Sequence, residues 1–269
     1  MSQSQLDVDP DLLAGGHLRA DVEGAVLTVT LDRPQARNAQ TPSTWRALAA
    51  IGDALDDSVR VVVLRAEGES FSAGLDRAMF GAGLPGEPGL MDLARMTGDD
   101  LDATIASFQR GFSWLCDDRV ISVAVVQGHA VGAGFQLALA CDLRIVAEDA
   151  QLAMRETSLG LVPDLTGTSP LVRAIGYSRA LEVCVTGRWI GAEEAVRIGL
   201  ASLRVERAHL GAAVDDLLGA LTAADVGAVR ETKALLRGAQ DRTDLEQHAA
   251  ERAAQGRRLA ALAAAMQPG

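Results

Sequence analysis

The apolar and polar positions change their rhythm several times along the chain, and each change marks an element. "AVLTVTLD", Ala25 to Asp32, alternates and is rich in β-branched residues, which predicts a strand. In "TPSTWRALAAIGDALDD" the apolar residues Trp45, Leu48, Ile51 and Leu55 recur at helical spacing. Thr41 stands where an N-cap belongs, and Pro42 takes the first helical position, where its missing N–H costs nothing. "RVVVLRA" is continuously apolar, as befits a strand buried on both faces. Arg77 to Gly98 is rich in Gly, Pro and Met, shows no period, and predicts a mobile loop with short helical pieces. A helix from about Asp100 to Leu115, the strand "ISVAVVQG", a glycine turn, a short helix and the strand "DLRIVA" follow. From Thr168 onward the pattern is almost wholly helical and ends in an Ala-rich helix from about Leu245 to Met266. Strands alternating with helices, then a helical tail, predict an α/β core with an α-helical C-terminal region.

One residue interrupts this pattern. From Val131 to Cys141 every position is glycine or apolar except Gln136. A polar amide in a buried stretch must find partners, so Gln136 either faces a site or is a structural amide bonded to backbone. The wider stretch Val120–Cys141 carries no charge and is long enough to cross a bilayer. Gln127, His129, Gln136 and its glycines, with Gly128 dividing it, predict a buried strand, a tight turn and a buried helix instead.

Charge narrows the partners. A net charge of -11 argues against nucleic acid, and 3% aromatic residues leave no stacking platform for bases. Cys116, Cys141 and Cys184 have no C-x-x-C spacing, which predicts reduced thiols and no zinc site. His17, His129, His209 and His248 form no ligand spacing, so no metal is expected. "MSQSQLDVDP" lacks an apolar leader, which points to a cytoplasmic protein without a membrane segment. A literal G-x-G-x-x-G at Gly81, Gly83 and Gly86 is broken by Pro85 and Pro88 and predicts a loop, not a dinucleotide site; no cofactor is expected.

Two glycine turns carry more chemistry. In "SFSAGLD" the turn at Ala73–Gly74 can present the N–H of Leu75 to a ligand. In "GHAVGAGFQLA" a glycine-rich turn opens a helix whose first N–H groups have no intrahelical acceptor and whose dipole favours negative charge. Gly132, Ala133 and Gly134 are small enough for a ligand to approach that backbone. Two N–H donors converging from two strand ends would form an oxyanion hole, each worth roughly 2.7–4 kcal/mol in the transition state.

With "LDRPQARNA", "LGLVPDLTGT" and "VTGRWIGAEEAVRIGL" in the same order and register, the chain resembles the crotonase, or enoyl-CoA hydratase/isomerase, superfamily over roughly Val22 to Val205. The resemblance implies the crotonase fold of repeated ββα units, residues 1–205 forming the core with an acyl-CoA site. It also implies that residues 206–269 form a helical extension used in trimer assembly, as a homotrimer or a hexamer made of two trimers. It implies an acyl-CoA thioester substrate, placed by its role in fatty acid metabolism, and an enolate stabilised at the thioester oxygen by the N–H groups of Leu75 and Ala133. Relatives usually carry glycine at the latter position. Arg37 falls where a CoA phosphate is met, and Ala73, Gly74, Asp76, Gly132 and Gly134 fall on the substrate-contacting turns.

The acids decide the reaction. The two glutamates that hydratases of this superfamily set around one water correspond to Gln136 and Glu156. Water addition needs a base at the water and an acid at the α-carbon. An amide can hold a water but cannot take its proton. Glu156 with Asp164, eight residues later, resembles the dienoyl-CoA isomerase branch, which has a further aspartate where Gln136 stands. Asp164 also matches the nucleophile of 4-chlorobenzoyl-CoA dehalogenase, which carries tryptophan at the Glu156 position. The expected activity is double-bond isomerisation with Glu156 as proton shuttle and Asp164 as second acid. The alternatives are hydration by a lyase with a reduced acid set, CoA-thioester hydrolysis, and an acyl-CoA binder without catalysis.

Overall fold

The computed structural model describes residues 6–81 and 83–266. A short helix α1 (Pro10–Gly15) leads into the hairpin β1 (Leu18–Glu23) and β2 (Val26–Leu31). The strict alternation of Leu18, Ala20 and Val22 with Arg19, Asp21 and Glu23 encodes β1 as plainly as the following run encodes β2. Helix α2 (Pro42–Asp53) starts where expected. Thr41 accepts from Thr44 N, and the Thr44 hydroxyl accepts from Thr41 N, so the two residues close a reciprocal cap. After β3 (Val61–Ala66) the aperiodic segment contains one 3-10 turn and one short helix, α3 (Leu90–Leu93). Helix α4 (Gly98–Ser113) follows, and then β4 (Ile121–Val126).

At Gly128 the chain turns from β4 into a separate short strand, β5 (His129–Val131). Gly128 has φ +55° and its Cα faces the Glu69 carbonyl, leaving no room for a side chain. Helix α5 (Ala133–Ala140), β6 (Leu143–Ala147) and β7 (Gln151–Ala153) complete the central part. The remainder comprises α6 (Thr168–Ile175), α7 (Tyr177–Thr186), β8 (Ile190–Gly191), α8 (Ala192–Arg197) and β9 (Leu203–Val205). It closes with α9 (Leu210–Ala223), α10 (Val226–Gly238) and α11 (Asp244–Ala265).

The main sheet has the order β1-β2-β3-β4-β6-β9, antiparallel only between β1 and β2. A small sheet, β5-β7-β8, carries the chain onward from the ends of β4 and β6. The apolar continuity of β3 has the cause expected. Val62 and Leu64 join the core under α2, α4 and α5, while Val61 and Val63 join a second layer beneath α9, with Val123, Val125, Ile145 and Val214. Residues beyond 205 are therefore not a free-standing appendage, because α9 seals one face of the sheet. Helix α10 is fastened to the core by Lys233, which donates to Asp117 O, Val120 O and Asp142 Oδ2 at 2.7–2.8 Å. Helix α11 buries only Ala254 and leaves Leu245, Leu259 and Leu262 exposed, as is Met266 just past its end. No helix among the described residues is long and apolar enough to cross a membrane.

Candidate active site

Both glycine turns come to the same end of the main sheet. Residues 70–76 run beside β5: Phe71 N donates to Gln127 O, Ser72 N to His129 O, and Val131 N to Ser72 O, all at 2.8–3.0 Å. The Ser72 hydroxyl donates to Asn38 O at 2.8 Å and accepts from Gln40 Nε2 and Gly74 N. Gln40 also brackets the turn through its backbone, donating to Gly74 O and accepting from Asp76 N, both at 2.8 Å. Gly74 is at φ +86° with its Cα against Val131 O and Ala133 N, so the two turns touch. Among the described residues, neither Leu75 N nor Ala133 N donates to a protein acceptor. Two unpaired N–H groups on adjacent turns, the second at the start of α5, are free to donate to an anion.

These donors open on a cavity of about 1250 Å³. Trp45, Ile105 and Phe108 wall its apolar part together with Met79, Leu90 and Leu93 from the segment after β3. Arg33, Arg37, Arg77 and Arg155 line its polar part, and Arg33 is paired with Asp76 at 2.5 Å. Ala73, Gly74, Leu75, Asp76, Gly132, Ala133, Gln136, Glu156 and Asp164 all reach the cavity wall. Gly134 does not: its Cα lies against Ser72, letting α5 pack closely on the first turn, so the expected substrate contact is corrected to a packing role. From the loop after β3, Met79 and Phe80 line the cavity. Met91 is 54% exposed, and Met96 receives the Thr104 hydroxyl.

Glu156 opens a 3-10 turn after β7 and is 9% exposed. Gln136, on α5, is 1% exposed and donates from Nε2 to Glu156 Oε1 at 2.6 Å. The Gln136 carbonyl oxygen accepts from Leu165 N at 2.9 Å and from Gly167 N at 3.3 Å. The amide is thus committed to neighbours on both sides. Glu156 Oε2 is buried and has no hydrogen-bond partner. Burial pushes the Glu156 carboxyl above its usual range, and the negative Asp164 adds to that. The hydrogen bonds from its own backbone N–H and from Gln136 pull it down, without prevailing. Asp164 keeps contact with the open cavity, yet protein surrounds it on enough sides that desolvation raises its carboxyl too.

The sequence matches the family described as enoyl-CoA hydratase/isomerase over residues 21–261. The "Probable enoyl-CoA hydratase" of Rhizobium meliloti is 34% identical over 206 residues, 76% of this chain and 73% of that protein. A solved candidate enoyl-CoA hydratase from Thermobifida fusca YX, in complex with acetoacetyl-CoA, superimposes with a TM-score of 0.90. It is 48% identical, over 94% of this chain and 98% of that one. An enoyl-CoA hydratase from Mycobacterium smegmatis gives a TM-score of 0.77 at 29% identity, over 90% of this chain and 91% of that one. The chain belongs to the enoyl-CoA hydratase/isomerase family.

As an enoyl-CoA hydratase/isomerase family member it has the crotonase fold, with the helical C-terminal region described above. The cavity residues of this family member not anticipated from sequence include Arg33, Arg155, Trp45 and Phe108. The last two read as ordinary core positions on α2 and α4, and they are indeed buried; only the packing of the two helices shows that they also wall a cavity. Arg155 directly precedes Glu156, and position alone could have flagged it. Among the described residues no group of three or more His, Cys, Asp or Glu side chains is placed to hold a metal ion.

Proposed function

We propose that this protein isomerises a double bond in an acyl-CoA thioester, moving one proton between carbons of the acyl chain. The observation that carries the reading is the asymmetry at the cavity floor. Glu156 Oε2 is a free carboxylate oxygen, while the place of a second base is held by an amide whose oxygen already accepts two backbone N–H groups. With the thioester oxygen between Leu75 N and Ala133 N, removal of a carbon-bound proton by Glu156 leaves an enolate whose charge those donors accept. A carboxyl raised by burial is matched to taking a proton from carbon and returning it. Asp164 is the second acid, biasing Glu156 toward its protonated form. No metal or cofactor enters this scheme.

CoA and acetoacetyl-CoA in the Thermobifida fusca relatives support the thioester as substrate class. In the same reading Arg37, exposed on the cavity wall, meets a CoA phosphate. The apolar surface of α11 takes part in assembly as a trimer or hexamer. The test is incubation with 3-enoyl-, 2-enoyl- and 3,5-dienoyl-CoA esters of several lengths, with products identified by mass and chromatography. The expected product is a shifted double bond of unchanged mass. Efficient formation of 3-hydroxyacyl-CoA would overturn the reading in favour of hydration, the activity named for many of the relatives. Binding without turnover would leave an acyl-CoA binder.

A further inference from the structure

The Gln136 amide joins three separate segments, namely α5, the turn carrying Glu156, and the stretch that follows Asp164. Its orientation is dictated by chemistry. Leu165 N and Gly167 N are both donors, so the group facing them is the carbonyl oxygen, and the NH2 must face Glu156. Gly167 lies so close that an added side chain there would come within 2.6 Å of Gln136 Cγ, which leaves the amide no room to turn away. The two oxygens of Glu156 are consequently unequal. Oε1 is tied at 2.6 Å, and Oε2 is buried and unpartnered.

We propose that Gln136 is a positioning residue that gives the two Glu156 oxygens separate duties, Oε1 anchored and Oε2 exchanging the proton, and that this keeps water from taking part. The proposal rests on the isomerase reading above. In the step it describes, a substrate C–H bond breaks and the proton bonds to Glu156 Oε2. The electron pair moves through the conjugated system to the thioester oxygen. The O–H bond then breaks, the proton forms a C–H bond at the other carbon, and the thioester carbonyl reforms. An attacking water would need an acceptor besides Oε2 to orient it. The oxygen of Gln136, which stands at the place of a second base, is already occupied by two N–H groups.

Gln136→Glu tests this. It keeps an oxygen for Leu165 N and Gly167 N and nearly the same shape, but replaces the fixed amide donor with a carboxyl that must share a proton with Glu156, since two buried carboxylates this close cannot both ionise. The substrates are 3-hexenoyl-CoA and 2-hexenoyl-CoA. The expected result is a fall in isomerisation kcat of about tenfold or more with KM changed far less, and 3-hydroxyhexanoyl-CoA as a new product. An amide that merely fills space would leave the product ratio where it was. Unchanged kcat and unchanged products in Gln136→Glu therefore overturn the proposal.

A second readout separates this from the isomerase reading. Exchange of the α-protons of hexanoyl-CoA with D2O involves neither a double bond nor water addition. If wild type forms no shifted product, the isomerase reading falls. The positioning role then stands or falls on whether Gln136→Glu slows that exchange about tenfold or leaves it unchanged. Should Gln136→Glu not fold by circular dichroism, Gln136→Met takes its place in the exchange assay, with the same two outcomes.

Discussion

Two polar pairs bridge distant parts of this chain, and their carboxylates are engaged differently. At Lys233–Asp142 the ammonium has three acceptors, and Asp142 Oδ2 takes Lys233 Nζ, Ser122 N and Ser122 Oγ, while the half-buried carboxylate keeps access to solvent. At Gln136–Glu156 the amide is equally engaged, but Glu156 Oε2 has nothing. A buried polar cluster with all its partners holds segments together. One that leaves a buried carboxylate oxygen without a partner, on a residue that lines a cavity, carries a cost with no structural return, and that residue is where the chemistry is to be sought. The contrast teaches where to look: the pair at the start of β4 and β6 fastens α10, and the pair at the other end of the sheet borders the cavity.

The contrast breaks first at Glu156. Glu156→Gln keeps the shape and an acceptor for Gln136 Nε2, so the fold and CoA-ester binding should survive while turnover falls about 10²–10⁴-fold. Near-normal turnover in steady-state assays would place the chemistry elsewhere. The opposite pattern is expected at Lys233, by the start of β4 and β6. Lys233→Met strands Asp142 and the two carbonyls and should cost about 3 kcal/mol in denaturant unfolding. Turnover per folded molecule should stay within about twofold, as for a residue remote from the chemistry. A turnover loss matching that of Glu156→Gln would erase the distinction between the two pairs.

Two smaller effects sharpen it. Gly132 is at φ +52°, and a methyl group there would sit 3.3 Å from Glu156 Oε1. Gly132→Ala should lose about 1–3 kcal/mol of stability through backbone strain. It should also lower kcat, with KM little affected; unchanged kcat would show that Glu156 tolerates displacement. The smallest effect is a pH dependence. The folded Glu156 carboxyl binds its proton more tightly than the unfolded one, because burial raises it. Its contribution therefore favours the folded state at low pH and is lost as pH rises from the usual glutamate value to the raised one. The difference in Tm between Glu156→Gln and wild type should grow in favour of the variant across that window. A difference independent of pH would mean that Glu156 is not perturbed.

Much of this protein was determined locally and could be read in order along the chain. The strand at β2, the capped start of α2, the doubly buried β3 and the long α11 follow from periodicity, because each depends on residues a few positions apart. The resemblance to the crotonase superfamily, carried by several motifs in order, set Leu75, Ala133, Glu156 and Asp164 around one site, and all four line the cavity. Gln136 was conspicuous as the single polar position in an apolar run. What it touches was not legible. The amide is bonded to residues 20, 29 and 31 positions away, and which of its two ends faces Glu156 depends on how those segments dock. Trp45 and Phe108 show the same limit: helical spacing makes them core residues, but only the packing of α2 and α4 makes them a wall. The sequence alone determined the elements and the residue types at the site, because these are short-range properties of the backbone. The tertiary structure decided which oxygen of Glu156 is left free, because that depends on contacts closed across the whole fold.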